Sequence, residues 1–306
     1  MTAPRPTPAS HERPGRLAVG ILGAGRVGAV LGAALITAGH HVVAASAVSA
    51  VSLRRAEALL PGVEIRPADE IGPSCDLLLL AVPDDALPAL VDGLAATGGI
   101  RRGQFVVHTS GRYGLDVLAP AIDIGALPLA LHPVMTFTGT SVDLDRLAGV
   151  CFGVTAPELL RPVAETLVLE MGGDPVWIAE ENRPLYHAAL AQGANHLVTL
   201  VASSMDLLRR AGADDPQRML GPLLSAALDN ALRYGDSGLT GPVVRGDSGT
   251  VRAHVEVLSA VSPEIAAAYV EMARLTADRA LAAGLLAPDA GVELLDVLAG
   301  RREASE

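Results

Sequence analysis

Residues 17–22 form a short apolar run that leads directly into Gly23-Ala24-Gly25-Arg26-Val27-Gly28, and an alanine-rich apolar stretch then continues to Gly39. That order is a strand, a glycine turn and a helix, which commits the chain to a fold that opens with a βαβ unit. Gly23 permits the tight turn, Gly25 lets the backbone approach a pyrophosphate, and Gly28 lets the helix lie close to the strand. Arg26 and Val27 share that turn, where the helix N-terminus offers free N–H groups and its positive dipole end to an anion.

From residue 17 to about 179 the pattern alternates short β-like runs with helix-like segments, as in an α/β, doubly wound, mainly parallel sheet. Strands are expected over 17–22, 41–45, 76–82, 104–108, 127–131, 150–154 and 175–178. The run from Asp76 to Val82 is apolar on both faces, as a central strand covered by helices should be, and Asp84 or Asp85 can cap the helix after it. After Glu180 the strand signals stop, and helices are expected over 182–211, 215–234, 250–258, 263–283 and 289–298. The expected division is therefore a disordered proline-rich tail over 1–15, a dinucleotide-binding domain over 16–180 and an all-α domain over 181–306. The apolar content of the long first helix of that last domain suggests burial, either across a dimer interface or within one subunit.

A net charge of −11 disfavours nucleic acid and anionic membrane as partners, and no uninterrupted apolar stretch suits a membrane span or signal peptide. A cytoplasmic protein is expected. All 23 basic residues are arginine, so Schiff-base chemistry and lysine acids or bases are excluded. Cys75 and Cys151 lie far apart without a metal-ligand spacing, and are expected to be buried small hydrophobes rather than zinc ligands or a disulfide.

An NAD-preferring unit places an acid at the end of its second strand, about 20 residues past the glycine turn. Here residues 44–49 contain none; Ser46 stands there instead, followed by Ser52, Arg54 and Arg55. Two arginines in the first turn of a helix are unfavourable unless an anion sits nearby, and a ribose 2′-phosphate would supply one. NADP is thus expected, with NAD or a deazaflavin as alternatives.

Ligands in open α/β sheets lie beyond the C-terminal strand ends, which directs attention to Val82-Pro83, His108-Thr109-Ser110 and His132-Pro133. Val82 and Pro83 are candidates for the cofactor and His108 for substrate, while His132 has the side chain for proton exchange near neutrality. A capping or packed histidine is the alternative at His132. His187, Ala191 and Asn195 recur every fourth residue on the long helix, where Gln192 also sits. Asn195 could bond a substrate carbonyl and His187 or Gln192 could line the same space, or these groups could satisfy helix packing. In the loop Leu239-Thr240-Gly241-Pro242-Val243-Val244-Arg245-Gly246-Asp247, Arg245 could clamp a carboxylate or pair with Asp247 or Glu256, and Asp247 could cap the next helix.

The segments GILGAGRVG, LLLLAVPDDAL, VVHTSG, ALHPVMTF, YHAALAQGANHLVTL and LTGPVVRGD together resemble the Rossmann-like oxidoreductases with a C-terminal domain of unknown function, DUF2520. These are relatives of the 6-phosphogluconate dehydrogenase, pyrroline-carboxylate reductase and ketopantoate reductase group. The resemblance implies a nucleotide-binding N-terminal domain, a helical C-terminal domain and a homodimer. Ser110 with His132-Pro133 is similar to the Ser and His-Pro pair of prephenate dehydrogenases, which makes Ser110 and His132 the first catalytic candidates, with Asn195 as third. The Lys and Asn that hydroxyacid dehydrogenases and ketopantoate reductases place a turn apart are not matched, since Ala191 and Gln192 stand upstream of Asn195. The expected function is NADP-dependent hydride transfer to or from a small carboxylate-bearing carbonyl or hydroxyl compound, 2-dehydropantoate-like or prephenate-like. A non-catalytic NADP-binding sensor is the alternative.

Overall fold

The computed structural model describes residues 15–300, so the tail expected over 1–15 falls almost wholly outside the described residues. The order of elements begins β1 (Ala18–Leu22), α1 (Arg26–Thr37), β2 (His41–Ser46), α2 (Ala50–Leu59), β3 (Glu64–Ile65), α3 (Ala68–Ile71), β4 (Leu77–Leu80) and α4 (Leu87–Thr97). It continues with β5 (Phe105–His108), α5 (Ala119–Ile124), β6 (Leu127–Pro133), α6 (Val142–Leu147), β7 (Cys151–Thr155), α7 (Arg161–Glu170) and β8 (Asp174–Trp177). Five further helices follow: α8 (Arg183–Arg210), α9 (Pro216–Tyr234), α10 (Ser248–Val261), α11 (Pro263–Ala282) and α12 (Pro288–Leu298).

The eight strands form one sheet in the order β3-β2-β1-β4-β5-β6-β7-β8. Every pairing is parallel except β6 with β7, where Ala130 faces Thr155 and His132 faces Gly153. The α/β, doubly wound reading therefore holds, and the order in which successive strands are added reverses between β1 and β4, the switch point where such sheets bind ligands. The two-residue β3 escaped the sequence pattern because both of its residues are exposed and carry no apolar run.

β4 shows why the sheet is covered on both faces. Leu77 and Leu79 pack with Val30, Leu31 and Leu35 of α1 and Leu167 of α7, whereas Leu78 and Leu80 pack with Leu87, Val91 and Leu94 of α4. Alternation along one strand thus feeds two cores. Neither Asp84 nor Asp85 caps α4, whose N-cap position is Ala86 with no side-chain bond. The proline at its second position removes one of the donors a carboxylate would have served. Cys75 is buried as expected, but Cys151, the first residue of β7, is exposed.

The chain divides into two compact units between Ala194 and Asn195, inside α8. In the second unit α10, α11 and α12 build a small core from Val251, Ala273, Ala277, Ala280, Leu294 and Val297. Residues of α8 and α9 take no part in that core. Of the two kinds of burial expected of the long helix, burial within one subunit is not met: along all of α8 only Arg183 is buried, and Leu185 and Val198 are 73% and 69% exposed.

Candidate active site

The glycine turn has the geometry its spacing suggests. Gly23 adopts φ +96°, and a Cβ there would lie 2.6 Å from the Ala81 carbonyl oxygen. Gly28 is closed in as well, since a Cβ would meet Gly23 O at 2.2 Å, so α1 can approach β1 and β4 only with glycine at that position. Gly25 differs: it has open space around its Cβ position, at the N-cap of a helix with no capping side chain and no acid in its first turn. Open space beside unprotected N–H groups is a cradle that fits a pyrophosphate. Ser46 Oγ accepts the Gly23 N–H at 2.9 Å, so the end of β2 holds the turn in shape.

Arg54 and Arg55 stand in the second turn of α2, not the first as expected, because Ser49 starts the helix with a capping box through Ser52. Arg54 is exposed; Arg55 reaches back so that its Nε donates to Gly139 O at 3.2 Å, close to the stem of Arg26. Gly139 belongs to a loop after β6 that buried Asp143 fixes by accepting the Thr138 and Gly139 N–H groups. Burial raises the Asp143 pKa, but those hydrogen bonds outweigh it and hold the carboxyl below its usual range. Val82 and Pro83 follow β4 at the switch point, both with some exposure.

At the ends of β5 and β6 three histidines, a tyrosine and an arginine converge. His108 is fully buried and corrects its assignment to substrate: Nε2 donates to Gly114 O at 2.7 Å and Nδ1 accepts the Ser110 N–H at 3.2 Å. Burial pushes its pKa down to about 4, and with both nitrogens engaged it shapes the loop that carries Ser110. Ser110 Oγ accepts the N–H groups of Arg112 and Tyr113, each at 3.2 Å, which leaves its hydroxyl proton to donate elsewhere.

His132 is partly exposed at the end of β6, and its Nδ1 lies 2.8 Å from the hydroxyl of Tyr186. Its Nε2 borders Gly111, where a Cβ would stand 2.9 Å from Nε2 and 2.8 Å from His187 Cδ2. The missing side chain at Gly111 therefore keeps Nε2 and the His187 ring open. The His132 and His187 rings meet edge to face at 6.1 Å. Burial first, then the charge of Arg183 and the neighbouring histidines, push the His132 pKa down to about 4.

Arg183 and Tyr186 were not among the expected residues. Arg183 is fully buried at the start of α8, donating from Nε to Thr155 Oγ1, from Nη1 to Ser110 O and from Nη2 to Ala130 O and Gly153 O. It thereby ties β5, β6 and β7 together beneath the site. A cation in the first turn of a helix is the signal that drew attention to Arg54 and Arg55, and it applies with more force to Arg183. Gln192, also on α8, is exposed and engaged within the protein.

In the second unit Asn195 is exposed. Asp247 caps α10 as expected, accepting Thr250 N and Oγ1 at 3.0 and 2.7 Å. Arg245 is exposed on a turn bracketed by Gly241 at φ +101° and Gly246 at φ +69°, where its charge is among the causes that hold the Asp247 carboxyl below its usual range. Among the described residues no cluster suits a metal ion and no helix is long and apolar enough to cross a membrane.

A family model described as a Rossmann-like domain matches residues 1–133, and one described as a domain of unknown function, DUF2520, matches residues 150–276. No curated protein sequence matches the chain. Among solved structures, a candidate NADP oxidoreductase from Bacteroides fragilis is similar with a TM-score of 0.74 at 20% identity, covering 86% of this chain and 98% of that one. A 1-pyrroline-5-carboxylate reductase from Streptococcus pyogenes gives 0.58 at 15% identity, with coverage of 87% and 98%. The NADP-bound pyrroline carboxylate reductase of Plasmodium falciparum gives 0.55 at 10% identity, with coverage of 85% and 98%.

Proposed function

The chain belongs to the Rossmann-like proteins that carry a DUF2520 domain, and from that premise we propose an NADP-dependent oxidoreductase for a small carboxylate-bearing carbonyl or hydroxyl compound. The observation that carries the reading is His132 at a C-terminal strand end, with Nδ1 tied to Tyr186 and Nε2 left open by Gly111, in the same unit as an open glycine turn. Gly23, Gly25 and Gly28, with the N–H groups of Arg26 and Val27, would hold the pyrophosphate, and Val82 and Pro83 would border the nicotinamide. When bound, the nicotinamide supplies or accepts a hydride at the substrate carbon. His132 exchanges a proton with the substrate oxygen through Nε2, and the Ser110 hydroxyl orients that oxygen. Asn195 and Arg245, taken within the second unit alone, are proposed as groups able to bind a carbonyl and a carboxylate. His187 lines the approach to Nε2.

In domain terms, residues 16–180 would bind the nucleotide and 181–306 would serve substrate and subunit contacts. NADP is favoured over NAD and deazaflavin by the lack of an acid after β2 and by three arginines, Arg26 and Arg55, which both border Gly139, and exposed Arg54 on the same helix as Arg55. Calorimetric titration should show NADPH binding at least about tenfold tighter than NADH or a reduced deazaflavin, since a phosphate held by arginine makes charge-assisted bonds the others lack. Arg55→Ala and Arg54→Ala should erode that preference. Equal affinities would remove NADP, and tight NADPH binding without turnover of any keto acid would favour the sensor.

A homodimer is part of the proposal. Met219, Leu223, Leu228 and Leu232 of α9 are 56%, 64%, 52% and 79% exposed, and Val198 and Leu200 of α8 are exposed too. Apolar area of that extent calls for a covering surface, and a second copy of these helices offers one. Light scattering should give twice the chain mass of 31.3 kDa; a mass equal to one chain would sink the idea. The two unpaired cysteines suit a reducing compartment, the cytoplasm.

A further inference from the structure

The proton that His132 exchanges has to come from somewhere. An imidazole held neutral down to about pH 4 offers almost no imidazolium at neutral pH, about one molecule in a thousand. A neutral ring acts as an efficient acid only if its second nitrogen gains a proton as the first loses one.

Tyr186 is built to supply it. Its hydroxyl lies 2.8 Å from Nδ1, close enough for the phenol proton to be given to the imidazole, and the backbone of Gly153 favours negative charge on the same oxygen. Gly153 is required for that approach, because a Cβ there would stand 2.3 Å from the tyrosine oxygen. With Tyr186 donating to Nδ1, His132 carries its own proton on Nε2, the nitrogen that Gly111 leaves open.

The charge beneath the pair completes the arrangement. The Arg183 guanidinium sits 5.8 Å from the Tyr186 ring, and among the described residues it forms no ion pair. Its four hydrogen bonds go to neutral oxygens, and Glu180 is held by the N–H groups of Leu115 and Asp116. Glu180 acts on the guanidinium from beyond ion-pair reach, and a buried cation whose hydrogen bonds all go to neutral oxygens stabilises negative charge formed nearby. The other titratable groups around the pair are His108 on β5, Cys151 on β7 and His187 on α8, of which Cys151 opposes a tyrosinate. Burial raises the Tyr186 pKa and Arg183 acts against that rise, so the hydroxyl is protonated at rest.

We propose that Tyr186 is the proton reservoir of this site, passing its hydroxyl proton to Nδ1 of His132 as Nε2 delivers a proton to the substrate, with Arg183 stabilising the tyrosinate left behind. The proposal rests on the oxidoreductase reading above. In the reducing direction the substrate carbon takes a hydride from reduced nicotinamide and its oxygen takes the Nε2 proton. The Nε2–H bond breaks as the Nδ1–H bond forms and the Tyr186 O–H bond breaks. After product leaves, the imidazole shifts its proton back and the tyrosinate regains one from water. Tyr186 acts through His132, so it is a positioning and relay residue.

The test combines nitrogen NMR of histidine-labelled full-length protein with kinetics of Tyr186→Phe. Free wild-type protein should show His132 as the Nε2–H tautomer, and Tyr186→Phe should lose that fixed tautomer while keeping NADPH affinity by calorimetry. Turnover of the variant should fall about tenfold to a hundredfold in kcat with little change in KM, the range expected for loss of a positioned proton donor. An Nδ1–H tautomer in the wild type overturns the proposal without reference to activity. Wild-type turnover that Tyr186→Phe matches overturns the relay and leaves the oxidoreductase reading standing. A protein that turns over no carbonyl substrate loses both.

Discussion

His132→Asn is expected to lower turnover about a hundredfold or more and leave nucleotide affinity unchanged, because it removes the proton-exchanging nitrogen and touches nothing in the glycine turn. The ring is partly exposed and its bonds are few, so asparagine at the end of β6 should leave the fold intact. The pH dependence makes the expectation sharper. A histidine pKa depressed from 6.5 to about 4 means the neutral ring persists throughout that interval. In the oxidising direction, where His132 must accept a proton, wild-type kcat/KM should therefore show no inflection from His132 near 6.5, and its acid limb should fall toward about pH 4. An inflection near 6.5 that vanishes in His132→Asn would show that the ring is protonated in the working enzyme. Unchanged turnover in the variant would remove His132 from the mechanism.

The largest loss of stability should follow Arg183→Met, a change that keeps length and apolar stem but deletes every donor. Ala130 O, Gly153 O and Ser110 O would lose the guanidinium at once, as would Thr155 Oγ1. Each buried acceptor left without a donor costs roughly 1–3 kcal/mol, so a loss of at least about 3 kcal/mol is expected. Relief of burying the cation offsets part of this, which is why the lower end of the sum is used. At about 2–4 °C per kcal/mol for a domain of this size, the thermal midpoint should fall by roughly 10 °C, checked by circular dichroism. A drop below about 2 °C would mean that water replaces the guanidinium and that the residue does not tie the three strands together.

Much of the nucleotide-binding unit was legible because its cues are local. A six-residue glycine turn, apolar runs of strand length and a proline after β4 each act on their immediate neighbours, and seven of the eight strands lie where those cues placed them. Only β3, too short and too exposed for a pattern, was missed. The positions of His132 and Ser110, at the end of β6 and just past β5, were legible for the same reason, since strand ends in an open α/β sheet mark the ligand side whatever the loops do. The second-turn position of Arg54 and Arg55 was not, because Ser49 and Ser52 compete equally well with Ser46 as places to begin α2.

What the sequence determined by itself was therefore the order of elements, the parallel sheet with its switch point, and the residue types at the strand ends. Periodicity, capping and glycine freedom are properties of short stretches of chain, and they act before any tertiary contact forms. What only the tertiary structure decided was which of those residues meet. His108 lies two residues from Ser110 and is turned inward to hold backbone, whereas Tyr186 lies 54 residues from His132 and bonds its ring. Arg183, the buried charge beside them, finds its four oxygens on β6, on β7 and on the Ser110 loop after β5. Contacts across such separations are set by how the strands stack and by how α8 enters against them, and no local pattern in the sequence encodes that geometry.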